Sequence, residues 1–244
     1  MTSNPMTNDR IYEGVIVSDQ PMTIAGAVNK TLALLAIVVG VSAYTWHLVA
    51  TSMADKAQMI MVTGAIAAFV LALIAAFKPQ HAKPLSIGYA ACEGLFLGGV
   101  SAMFEAVYPG IVMQAVCGTF CGMAAVMFLF KARIIRATEG FRSTIIAATA
   151  SIAILYLITF ISSFFTPVLL NAVNSNGILG IGLSCIIIVI ACLNFILDFD
   201  FIERGAEQGA PKYLEWYGAL SMLVTLVWLY LEILRLLAKL NSRR

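Results

Sequence analysis

Five acidic side chains lie inside or directly beside long apolar runs, and their type and position could support ion or proton chemistry. Four of them fall in the last fifth of the chain, residues 193–237, and one falls in the third apolar run. The five are Asp198, Asp200, Glu215, Glu232 and Glu93. An ionisable group in a membrane span is costly and is therefore a functional candidate by default. Coupled carboxylates in a medium of low dielectric could hold a hard cation such as calcium through oxygen ligands, or exchange it for protons.

The composition predicts the surroundings of these acids. The chain is 61% hydrophobic and 11% charged, with a mean hydropathy of +0.92, whereas soluble chains are about 25% charged. The prediction is an all-α integral membrane protein. A formal net charge of only +2, with no basic stripe, argues against nucleic acid as a partner.

Seven apolar runs reach or approach the length of about 20 residues that crosses a bilayer as a helix. They cover residues 31–50, 58–77, 85–104, 111–130, 143–165, 178–201 and 217–237, and the sixth helix is expected to continue to residue 208. Gly209, Ala210 and Pro211 predict a turn before the last span. The predicted organisation is a polar N-terminal tail (1–24), a membrane domain (25–240) and a short C-terminal tail (241–244).

The distribution of Lys and Arg predicts the orientation. The side that holds the N-terminal tail and the loops after spans 2, 4 and 6 carries ten basic residues, and the other connecting loops carry only Lys56. The positive-inside rule therefore places the N-terminus in the cytoplasm. Seven full spans then place Arg235, Lys239, Arg243 and Arg244 outside, against the rule. A re-entrant last span is the alternative.

A stripe of small residues follows one face of the third span. Ala90, Gly94, Gly98 and Ala102 recur every four residues, a pattern that lets helix backbones approach closely in lipid. Glu93 lies beside this stripe near the middle of the span. Two interpretations are open for it: a protonated side chain hydrogen-bonded to a neighbouring helix, or a step on an ion or proton path.

Helical geometry separates the other four acids. Asp198 and Asp200 lie about 200° apart around a helix and cannot share a face, and Asn194 shares the face of Asp198. If spans 6 and 7 fold back at the turn, Asp198 lies opposite residues 220–223, Glu215 lies within about two turns of it, and Glu232 lies about 16 Å further along. Alternatively, Asp200 and Glu215 are solvated boundary charges, as expected for Glu203 and Glu207, and Glu232 pairs with Arg235 three residues later.

The segments FILDFDFIERGAEQG (195–209) and LYLEILRLL (229–237), within seven compact spans, resemble the Bax inhibitor family of membrane proteins, specifically its bacterial, YccA-like branch. The resemblance implies a seventh helix surrounded by six, and a pH-sensitive calcium leak in which two acids on the last two helices sense protons. Asp198 matches the first of these acids, and Glu232 is the closest match to the second. The arginine that the family can carry in its second span is absent from residues 58–77.

The resemblance and the acids together favour a pH-sensitive cation leak, with calcium as the expected ion and Asp198 as a possible calcium ligand. The alternative is a non-transporting regulator that binds a membrane protease or another membrane protein. An enzyme is not expected, because HExxH and nucleophile-elbow motifs are missing, and no cofactor or further metal site is expected. Membrane lipid, calcium and protons are the expected partners, and a bacterial inner membrane is the expected location.

Overall fold

The computed structural model describes residues 21–51, 54–166, 173 and 175–243, with the backbone alone for residues 54–57. Within these ranges the chain forms seven long α-helices and no strands. The helices are α1 (Ile24–Ala50), α2 (Ala54–Phe77), α3 (Ala82–Val107), α4 (Ile111–Lys131), α5 (Glu139–Ser163), α6 (Ile178–Glu207) and α7 (Leu214–Asn241). Each is long and apolar enough to cross a membrane. The predicted all-α, seven-span fold is confirmed.

Several helices begin earlier than the hydropathy pattern predicts. Helix α1 starts at Ile24, seven residues before the predicted span, because the Thr23 side chain caps it by accepting the Gly26 N–H at 2.9 Å. Thr138 caps α5 in the same way through the Phe141 N–H. A capping hydroxyl satisfies a backbone donor that the first helical turn leaves open. The predicted first span begins only after the polar Asn29 and Lys30, so it omits the earlier apolar turn of α1, whereas the first turn of α5 is itself polar.

The segment before α1 contacts the turn before α7. Gly209 adopts a positive φ of 66°, which glycine tolerates, and the adjacent Ala210 carbonyl accepts the Met22 N–H at 2.7 Å. Met22 is 2% exposed, although it falls in the predicted polar tail. The remainder of that tail, residues 1–20, lies outside the described residues.

Contacts divide the chain into two compact units, Met1–Val107 with Asp198–Val224, and Tyr108–Leu197 with Thr225–Arg244. In the first unit the small-residue stripe of α3 packs on α1. A Cβ added at Gly94 would lie 2.8 Å from the Val38 carbonyl oxygen, and one added at Gly98 would collide with the backbone of Ser42. The predicted close approach along this stripe is confirmed, and its partner is α1.

In the second unit, glycines of α4 lie against α6 and α7. A Cβ at Gly122 would be 3.3 Å from the Cys192 sulfur and 3.4 Å from Leu229, and one at Gly118 would be 3.4 Å from Ile233. Over its most apolar window, α7 is 56% buried, against 17–50% for the other six helices.

Candidate functional site

All five predicted acids are buried, with 8% or less of each residue exposed. The exposed fractions are 8% for Glu93, 6% for Asp198, 8% for Asp200, 1% for Glu215 and 1% for Glu232. The alternative that Asp200 and Glu215 are solvated boundary charges is therefore wrong. Of the other two acids expected to be solvated, Glu207 is exposed and Glu203 is half-buried.

Glu215 joins the beginning of α7 to the beginning of α1. Its carboxylate accepts the Thr23 N–H at 2.8 Å and the Thr23 hydroxyl at 3.1 Å, and it forms an ion pair with Lys30. Gly26 packs so closely that any Cβ there would overlap this carboxylate. These contacts satisfy the hydrogen-bonding capacity of the Glu215 carboxylate and neutralise its charge. The Lys30 pairing could not be read from the sequence, because 185 residues separate the partners.

Asp200 is neutralised within its own helix. Arg204, one turn later on α6, donates from Nε to Asp200 Oδ1 at 3.1 Å. The side chain of Arg204 is 38% exposed and that of Asp200 is 12% exposed. The pair lies in the last two turns of α6 and is partly exposed. A spacing of four residues on a helix predicts such a contact.

Asp198 lies opposite α7 at the register that folding back spans 6 and 7 predicts. Ser221 donates its hydroxyl to Asp198 Oδ1 at 2.5 Å, within the expected range 220–223. One turn earlier on α7, the Tyr217 hydroxyl is buried without a hydrogen-bond partner among the described residues. The Tyr217 hydroxyl lies close enough to Asp198 for the two groups to interact electrostatically. The site combines a carboxylate, an engaged hydroxyl and a phenol with unused hydrogen-bonding capacity.

Glu93 occupies the buried face of α3, between Tyr89 and Leu97, which are 5% and 6% exposed. Its carboxylate makes no hydrogen bond or ion pair to the residues that the structure describes, so a hydrogen bond to a neighbouring helix is not found there. Tyr89 and Cys92 lie close enough to Glu93 to interact with it electrostatically. Glu93 therefore differs from the acids that have a cation beside them.

Glu232 is held by two side chains of the second unit. Arg235 donates from Nη1 to both Glu232 oxygens, at 2.9 and 3.1 Å, as the spacing of three residues predicts. Tyr156 of α5 donates its hydroxyl to Glu232 Oε1 at 2.5 Å and accepts from Arg235 at 2.8 Å. Sequence reasoning missed Tyr156, because a tyrosine in an apolar run carries no sign of its partner.

Two buried cations were also missed as site residues. Lys239, near the end of α7, is 4% exposed and donates to the carbonyls of Val173 and Gly180 and to the Ser184 hydroxyl, at 2.8, 3.0 and 3.0 Å. Arg142, counted as a loop charge from the sequence, is 6% exposed in the first turn of α5. Counting charges for orientation cannot separate such internal cations from loop cations.

The candidate acids do not form one metal centre. Within residues 21–51, 54–166, 173 and 175–243, no group of three His, Cys, Asp or Glu side chains could hold a metal ion. Asp198 and Ser221 bring two oxygens together. Asn194, expected on the face of Asp198, donates its amide instead to Thr149 at 2.9 Å and to the Ile190 carbonyl at 2.8 Å.

Comparison with known proteins adds one match. The family model described as Bax inhibitor 1 like matches residues 3–242, nearly the whole chain. No curated protein and no solved structure matches the chain significantly. The match includes both segments on which the resemblance was based, residues 195–209 and 229–237. The chain therefore belongs to the Bax inhibitor 1 like family of multi-pass membrane proteins.

Proposed function

We propose that this protein is a pH-sensitive cation leak, with calcium as its ion, controlled by protonation of buried carboxylates. The observation that carries the proposal is Glu93, a buried acid in the middle of α3 without a hydrogen-bond or ion-pair partner in the part of the chain that the structure describes. A charge buried without a partner is costly. Protonation at this position therefore changes the energetics of the α3 face more than protonation of an exposed acid would.

Asp198 is the second control point in this proposal. Its hydrogen bond from Ser221 joins α6 to α7, so a change in its charge alters a contact between the last two helices. Carboxylate and hydroxyl oxygens are also ligands that calcium accepts. Asp198 and Ser221 are thus the pair that would meet a passing calcium ion.

Glu232 contributes differently from what the family resemblance implies. Arg235 and Tyr156 engage both of its oxygens, so a proton must compete with a guanidinium for the same atoms. In this proposal Glu232 stabilises the packing of α5 on α7, and Glu93 and Asp198 sense pH.

The orientation in this proposal places the N-terminus in the cytoplasm and the protein in a bacterial inner membrane. Two of the basic residues that conflicted with seven full spans have internal roles, since Arg235 pairs with Glu232 and Lys239 is buried among three oxygen acceptors. Because contacts inside the protein fix the positions of these two residues, they are weaker evidence than loop residues for the side of the membrane on which the C-terminus lies. This supports seven full spans with the C-terminus outside.

The α3 stripe gives the partner-binding alternative little support. The small-residue stripe that a membrane protease or other partner would use is covered by α1 of the same chain, through contacts of Gly94 and Gly98 with residues 38–42. Partner binding remains the proposal to which we would turn if flux measurements showed no conduction.

Calcium flux into liposomes tests the proposal. Purified protein is expected to leak calcium at a rate that differs between about pH 5 and about pH 8, and Asp198→Asn is expected to change both the rate and its pH dependence. Glu139→Gln, which removes an exposed acid at the start of α5, is the matched control and should behave as wild type. Flux equal to that of empty liposomes at every pH would reject conduction. Unchanged flux in Asp198→Asn alone would remove Asp198 from the mechanism.

A further inference from the structure

An open groove of about 440 Å³ lies where α1 and α7 begin. Two lysines and an asparagine line it, Lys30, Lys212 and Asn29, together with the paired Glu215 and the small Ala33. All of these residues belong to the first unit. The groove is therefore a feature of one compact body, and its lining contains two lysines and one carboxylate.

The groove lies at a membrane boundary. Since consecutive spans alternate in direction, α1, α3 and α7 all begin on this side of the membrane. The N-terminal ends of helices carry unpaired N–H groups and a partial positive charge, and they favour anions. The helix N-termini and the lysines therefore both favour an anion in the groove.

Trp216 brings a third lysine to this boundary. Lys30 Nζ lies 5.4 Å and Lys83 Nζ lies 6.0 Å from the centroid of the Trp216 ring. An ammonium has three donors. Lys30 donates one to Glu215, and no other hydrogen bond of its ammonium is made to the described residues. Tryptophan and lysine together are typical anchors at the headgroup level.

An apolar stripe of α1 runs beside the groove. Ile24, Val28 and Leu32 are 51%, 38% and 59% exposed, and each directly precedes a groove-lining residue, Ala25, Asn29 or Ala33. A ligand with a charged head in the groove could therefore lay an acyl chain along this stripe. This geometry favours a lipid over a free phosphate ester.

We propose that this groove binds the phosphate headgroup of an anionic phospholipid, with an acyl chain along Ile24, Val28 and Leu32. Basic pockets between membrane helices are a known way to recognise anionic headgroups. The bound lipid would bridge the beginnings of α1 and α7, the two elements that Glu215 joins. This inference does not depend on ion conduction.

Native mass spectrometry of the purified protein, titrated with phosphatidylglycerol or phosphatidylcholine, tests the charge requirement. Wild type is expected to retain phosphatidylglycerol and not phosphatidylcholine. Lys212→Gln should weaken retention about fivefold, the effect of about one lysine near a lipid surface. Lys78→Gln, an exposed lysine at the same boundary outside the groove, should leave retention unchanged. Equal retention of both lipids, or equal weakening by both variants, would overturn the proposal.

A second pair of variants tests the place without altering charge. Ala33→Phe fills the groove and should displace phosphatidylglycerol, whereas Ala36→Phe, an exposed position on α1 outside it, should not. Glycerol phosphate added in excess separates the two sources of phosphate. If it displaces the lipid as strongly as phosphatidylglycerol itself, the groove binds a free phosphate ester and the lipid assignment is wrong. Unchanged lipid retention in Ala33→Phe would place the lipid elsewhere.

Discussion

At the scale of single residues, the partner of each buried acid decides what that acid can do. Glu215, Asp200 and Glu232 each have a lysine or arginine beside them. Glu93 has neither within the described ranges. The sequence predicted the Arg235 pairing, because three residues separate its partners on one helix. It could not predict Lys30 with Glu215, because only the tertiary fold brings the two together.

Loss of the Lys30 ammonium should destabilise the protein. Lys30→Gln leaves the Glu215 carboxylate, which is 1% exposed, without its counter-ion. Breaking a buried pair by removing one partner costs about 3–5 kcal/mol, and we expect about 2 kcal/mol here because the Lys30 side chain is 17% exposed. Thermal unfolding in detergent measures the effect as a lower Tm.

The matched comparison for this variant is the double change Lys30→Gln with Glu215→Gln. It removes both charges and should recover part of the lost Tm, since a neutral amide can still accept from Thr23. A single variant as stable as wild type, or a double variant less stable than the single one, would show that the ion pair does not hold α1 to α7.

At the scale of elements, close helix packing explains why α3 carries small residues. The four-residue repeat from Ala90 to Ala102 was sufficient to predict a tightly packed face, because only small side chains let helix backbones approach this closely. The identity of the partner helix was not predictable, because α1 and α2 are both apolar and both precede α3 in the chain. The structure assigns the stripe to α1 through Val38, Val41 and Ser42.

Enlarging Gly98 should separate α1 from α3. A Cβ there overlaps the backbone of Ser42, which cannot move aside as a flexible side chain can, and overpacking typically costs about 1–3 kcal/mol. We expect Gly98→Ala to lower the Tm in detergent. Gly40→Ala on α1, where a Cβ would meet nothing within 4 Å, is the control and should leave the Tm unchanged or slightly higher. Equal Tm values for the two variants would contradict the assigned packing.

At the scale of the whole molecule, composition and run lengths were enough to predict seven membrane helices. Helix ends were less predictable, because caps such as Thr23 and Thr138 start helices before the most apolar part of each run. Orientation was the least certain property, since the basic residues near the C-terminus opposed the rest. Two of them, Arg235 and Lys239, have partners inside the fold, which removes much of the conflict.

Reporter fusions test the orientation. With seven full spans, the two ends of the chain lie on opposite sides. A reporter that is active only outside the cytoplasm should therefore be active after residue 244 and inactive before residue 1. A cytoplasmic reporter should show the opposite pattern. Activity of the same reporter at both ends would indicate a re-entrant α7 and overturn the proposed topology.

The most direct test of the central claim is calcium flux through Glu93→Gln in liposomes. Glutamine has the shape of a protonated glutamate and cannot ionise, so the variant should be fixed in the protonated state. We expect its flux at about pH 8 to move from the wild-type value at that pH towards the wild-type value at about pH 5, with the remaining pH dependence carried by Asp198. Flux of Glu93→Gln that follows the wild-type pH profile without change would contradict the account, because protonation of Glu93 would then have no part in control.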